Sequence, residues 1–158
     1  MRHLDSKGLE GLPLKLLVVL LLISVSSPLV LESLQYHGRT VAVENLRALG
    51  EKIRSAVLSA YISGPGNVRV IDVTIPASTH NGQGWMDIGG SMESAESLTI
   101  RCWIGDHRVG TVYVNEPPVR MSSHDGNAVT IHSPGARLEI SCVQIEGEVR
   151  ILIGVGRT

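Results

Sequence analysis

The chain has 158 residues and a net charge of −1, from 14 basic and 15 acidic side chains. That is one domain and a short appendage, without the basic excess that grips nucleic acid, so no nucleic-acid partner is expected. Hydrophobic residues make up 43% and aromatics only 3%, with no Phe, which excludes a disordered tail and leaves little from which to build stacking platforms.

The apolar load is concentrated near the N-terminus. From Leu14 to Leu31 the chain reads LKLLVVLLLISVSSPLVL, broken only by Lys15, three serines and Pro28. As a helix the run spans roughly 27 Å, close to the hydrocarbon thickness of a bilayer. Lys15 sits where its stem can snorkel to the headgroups, and Ser24, Ser26 and Ser27 can return their hydroxyls to helix carbonyls. A core helix of a soluble domain is the alternative, but the run has no polar stripe. A secretory cleavage site is poorly supported, because Val25-Ser26-Ser27 is followed at once by Pro28. Membrane lipid is therefore the first expected partner.

Ahead of the run stands Asp5-Ser6-Lys7-Gly8-Leu9-Glu10-Gly11-Leu12-Pro13-Leu14-Lys15. This segment resembles the class III signal of archaeal type IV pilins, which a prepilin-type membrane peptidase cuts on the cytoplasmic side of the apolar helix. The resemblance covers about the first 35 residues. It implies that Lys7 and Gly8 precede the cut, that Leu9 becomes the new N-terminus, and that Glu10 is the second mature residue. Many members of that family carry their acidic residue several positions further on. Pro13 should shift the helix start to about Leu12. The alternative is an uncleaved signal-anchor whose Lys7 obeys the positive-inside rule.

Glu32 to Ile62 is polar overall yet periodic. Val43, Leu46, Leu49, Ile53, Val57 and Ala60 recur at helical spacing, and Glu44, Arg47, Glu51, Lys52 and Arg54 lie opposite. Gly50 suggests a bend or a close neighbour, Pro28 a kink, and Ser63-Gly64-Pro65-Gly66-Asn67 a stop. The reading is a leader over 1–8, a transmembrane or filament-core helix over 9–31, an amphipathic helix over 32–63, and a β-rich head over 67–158. The two helical parts are expected to be nearly continuous.

In the head, strands are expected at 68–75, 84–88, 97–104, 108–114, 127–132, 137–144 and 148–155. They are punctuated by Asn81-Gly82, Gly105-Asp106, Pro117-Pro118, Asp125-Gly126 and Glu146-Gly147. Tight hairpins are expected at Gly105-Asp106 and Glu146-Gly147. The fold class is α+β, a long N-terminal helix followed by a small antiparallel, sandwich-like head.

Cys102 and Cys142 both fall inside strands, and an even count beyond the membrane segment suits a disulfide outside the cell. Its closure would contribute roughly 4 kcal/mol on the chain-entropy model. Two reduced, buried thiols are the alternative. No catalytic constellation, cofactor motif or metal spacing stands out, so no enzyme activity is expected. His80, His107, His124 and His132 adjoin turns and read as surface residues, Trp85 and Trp103 as core or hairpin packing. Function rests on the pilin resemblance. It implies a major or minor subunit of an archaeal type IV pilus-like filament, partnered by identical or related pilin subunits and by the peptidase. The rival is a single-pass surface protein, including the archaellum accessory type, whose exterior head binds a ligand or envelope partner.

Overall fold

The computed structural model describes residues 7–75, 82–132 and 134–156. The chain divides into two compact units, Met1–Gly38 and Arg39–Thr158. A single helix, α1, runs over Lys7–Ser63. It starts earlier than the sequence suggests: Pro13 lies inside it, where the missing N–H costs only the bond to the Leu9 carbonyl near the helix start. The helix ends at Gly64 and Gly66, both at positive φ, and the Asn67 side-chain amide donates to the Ser63 carbonyl at 2.6 Å.

The strands that follow are β1 (Val68–Thr74), β2 (Gly84–Ile88), β3 (Thr99–Ile104) and β4 (His107–Tyr113). The rest are β5 (Met121–Ser122), β6 (Val129–His132), β7 (Gly135–Ile145) and β8 (Glu148–Gly156). They form two four-stranded sheets, ordered β1-β7-β8-β5 and β4-β3-β2-β6. The α+β class and the sandwich-like head are thus as the sequence indicates. Two details differ. Residues 97 and 98 belong to a 3-10 turn, Ala95–Leu98, in which the Ser97 hydroxyl bonds to the Ser94 carbonyl, so β3 begins only at Thr99. The two-residue β5 is an added strand and pairs parallel to β8, the exception to antiparallel pairing among the described strands.

Both tight hairpins form. β3 and β4 turn through Gly105 at φ 56°, and β7 and β8 turn through Glu146 and Gly147 at φ 53° and 87°. Two successive positive φ values are what a type I′ turn demands, and Glu146 is the only described non-glycine residue that adopts one.

The core is aliphatic. One sheet contributes Val73, Leu138, Ile140, Ile151 and Ile153, the other Met86, Ile88, Ile100, Ile104, Val112 and Ile131. The helix adds Ala42, Leu46, Ile53, Val57 and Ala60, close to the expected face, with Val43 and Leu49 partly buried beside them. It meets an edge strand of each sheet: Lys52 Nζ donates to the Asp72 carbonyl of β1 at 3.0 Å, and Gly50 lies against Val112 of β4. Residues 42–60 therefore act as an additional layer of the sandwich and shield two strand edges.

Gly50 is the point of closest approach, since a Cβ there would stand 2.9 Å from Val112 Cγ2. Alanine gains about 1 kcal/mol of helix propensity but forces Val112 to move, whereas leucine cannot be housed. Gly50→Leu is expected to lower head stability by roughly 2–3 kcal/mol in denaturant unfolding. Gly38→Leu, with nothing within 4 Å of its Cβ position, should leave it unchanged.

Candidate functional site: the apolar helix

Between Leu14 and Leu31 the described large apolar side chains are 49% (Val18) to 66% (Leu14) exposed. No surface of a soluble monomer carries such a stretch without a use for it. Its serines are internally satisfied. The hydroxyls of Ser24, Ser26 and Ser27 donate to the carbonyls of Leu20, Leu22 and Ile23 at 2.7, 2.6 and 2.7 Å. Each serine thus presents little unpaired polarity to lipid or to a neighbouring helix. The helix is long and apolar enough to cross a membrane.

Lys7, Gly8, Leu9 and Glu10, where the sequence resemblance places processing, form the first turn of this helix by their backbone; their side chains lie outside what the structure describes. In the first turn of a helix the leading N–H groups have no intrahelical acceptor, so this turn opens more easily than the rest. Glycine at position 8 lowers the cost of opening, since it is among the weakest helix formers.

The cysteines are not joined. Both are free thiols in the core, Cys102 on β3 and Cys142 on β7 of the opposite sheet, so the expected disulfide is absent. Each packs as a small apolar side chain in its own layer. Cys102 Sγ lies 3.6 Å from the Leu46 carbonyl, and burial pushes its pKa up to about 11, leaving a protonated, unreactive thiol. Burial raises the Cys142 pKa as well. A cleft of about 260 Å³ beside Cys102 is lined by Val43, Glu44, Arg47 and Gly110 among others.

His107, His124 and His132 are exposed, as expected, and His80 lies outside the described residues. Among the described residues no three His, Cys, Asp or Glu side chains converge as metal ligands. Two features of the head were not foreseen. Arg101 is buried at 6% exposure, where its guanidinium donates to the Gly89 carbonyl at 3.1 Å and faces Glu96 at 2.9 Å and Asp87 at 3.7 Å. Trp85 and Trp103 stack across β2 and β3 on the face turned away from the core, with ring centroids 4.8 Å apart and planes within 1°. Alternation within β3 carries a hint of both, since Arg101 and Trp103 share the parity opposite to Ile100, Cys102 and Ile104.

No protein-family model, no curated protein and no solved structure matches this chain.

Proposed function

We propose that the chain is a structural subunit of an archaeal type IV pilus-like surface filament, held in the membrane by its N-terminal helix before assembly. The observation that carries this reading is the exposed apolar stretch Leu14–Leu31 on a helix whose later residues, 42–60, belong to the core of the β-rich head. Such a helix offers one half to lipid or to identical helices while the other half holds the head. Hydrophobic packing, with no bond-making chemistry, is the working interaction. The Lys7-Gly8-Leu9-Glu10 leader adds the processing step. The same exposed helix also supports a single-pass surface protein with an outward head, and cleavage with polymerisation separates the two.

Intact-mass measurement of membrane-purified protein is expected to show loss of the first eight residues in cells with an active prepilin-type peptidase. Gly8→Leu should block that loss by strengthening the helical turn and crowding the scissile backbone. In a filament, Glu10 would enter an apolar bundle, where an unpaired carboxylate is costly. Glu10→Gln is then expected to reduce sheared extracellular polymer while leaving membrane insertion intact. Full-length chain alone, or equal polymer in both strains, would favour the uncleaved anchor.

A further inference from the structure

Gly110 is a glycine that its strand does not require. It lies inside β4, its φ is not positive, and a Cβ built on it would meet only Cys102 Cβ, at 3.9 Å. Such a residue costs backbone entropy and forgoes a packed side chain, and strands keep one where something approaches closely. Gly110 stands opposite Cys102 in the ladder and so faces the core side of the sheet. The residue before it is displaced as well. Cys102 pairs with Gly110 and Trp103 with Arg108, which makes Val109 the extra residue of a bulge, packed against the core.

The missing side chain and the bulge border a cleft of about 260 Å³ between β4 and α1. Val43 of α1 and Val109 and Val112 of β4 give it apolar walls, joined by Cys102, a thiol that burial keeps protonated. An open apolar cleft forfeits the dispersion contacts that a side chain at position 110 would have made. Glu44 and Arg47 complete the lining from α1. Both are exposed, and although one helical turn apart they pair neither with each other nor with any other described charge. Apolar walls thus adjoin one free carboxylate and one free guanidinium, with about 5–6 Å between their Cβ atoms.

We propose that this cleft binds an apolar α-amino acid. The aliphatic side chain fills the space over Gly110 and Cys102. The α-carboxylate accepts from the Arg47 guanidinium, and the α-ammonium donates to the Glu44 carboxylate. The two charges set the ligand class. A fatty acid would be repelled by Glu44, an amine by Arg47, and a hydrocarbon would leave both unused. An α-amino acid carries both charges on one carbon, at the spacing of one helical turn. The cleft lies wholly within the head unit, so the proposal holds whether α1 anchors or polymerises.

The test is isothermal titration calorimetry of full-length protein in detergent with L-leucine, L-valine and L-methionine. Saturable binding of at least one is expected. Isocaproate, which is leucine without its ammonium, and isoamylamine, which is leucine without its carboxylate, should bind at least about 10-fold more weakly than the best amino acid, the loss of one charged hydrogen bond. Gly110→Val, which fills the cleft, should abolish binding. Glu44→Gln and Arg47→Gln, on exposed side chains, should each weaken it about 10-fold with no change in melting temperature. These two variants decide the matter even if Gly110→Val loosens the fold. The proposal is overturned if none of the three amino acids binds, if both rim variants bind like the parent, or if a folded Gly110→Val does. It is equally overturned if isocaproate or isoamylamine matches the best amino acid, since the rim charges would then play no part.

Discussion

Arg101→Ala is expected to lower the stability of the head by about 3–5 kcal/mol, the range for removing one partner of a buried charge cluster. The guanidinium is 8% exposed, and its loss leaves the Asp87 carboxylate, 16% exposed, with the Thr130 hydroxyl as its remaining neutral partner. It also frees the Gly89 carbonyl, whose bond to Arg101 joins β3 to the end of β2. Glu96 contributes far less, because it is 65% exposed and its charge is screened, so Glu96→Gln should change stability by under about 1 kcal/mol. Arg101→Met combined with Asp87→Leu should recover much of the loss, since no buried charge is then left unpaired. Urea unfolding followed by tryptophan emission reads all three variants. Equal stability of Arg101→Ala and the parent would show that water satisfies Asp87 in place of the guanidinium.

Ile53→Ala is expected to cost about 3–4 kcal/mol in the same measurement, through lost burial and the cavity left behind. Ile53 is 0% exposed, at the centre of the helix face that closes the sandwich. Leu20→Ala, on the same helix but at 56% exposure, should leave head unfolding unchanged. Leu20→Arg should instead hinder membrane insertion, by about 3 kcal/mol near the middle of the span on the insertion scale. A head indifferent to Ile53→Ala would mean that the sheets pack without the helix.

Much of this architecture could be read from pattern alone. The 3.6-residue period of Leu46, Ile53, Val57 and Ala60 identified the buried helix face, and glycine-bearing dipeptides located both hairpins. What escaped had no local signature. β5 is two residues between Pro117-Pro118 and Asp125-Gly126, too short for alternation to register, and its partner β8 is fixed only by tertiary contact. The 3-10 turn hid inside an apparent strand because Ser97 and Leu98 suit either state. The cysteines were read by count and compartment, whereas their separation into opposite sheets depends on which strands pair, and spacing does not encode that. Nothing local marks Arg101 as buried; its burial follows from the Gly89–Leu98 segment carrying Glu96 against it. The apolar helix, by contrast, was legible because hydropathy acts on contiguous residues.

The strand order sets the timetable by which the head becomes a folded object. β1 is the first strand synthesised, yet its described pairing is with β7, Val68 against Ser141 and Thr74 against Gly135. Until β7 has been made, β1 has neither its ladder nor its share of the core, while β2, β3 and β4 can already pair with near neighbours. The second sheet can therefore nucleate early, and the first must wait for nearly the whole polypeptide. A ribosome that stalls before residue 135 releases a chain with the β7-facing edge of β1 open and Val68 and Val70 ready to pair with a stranger.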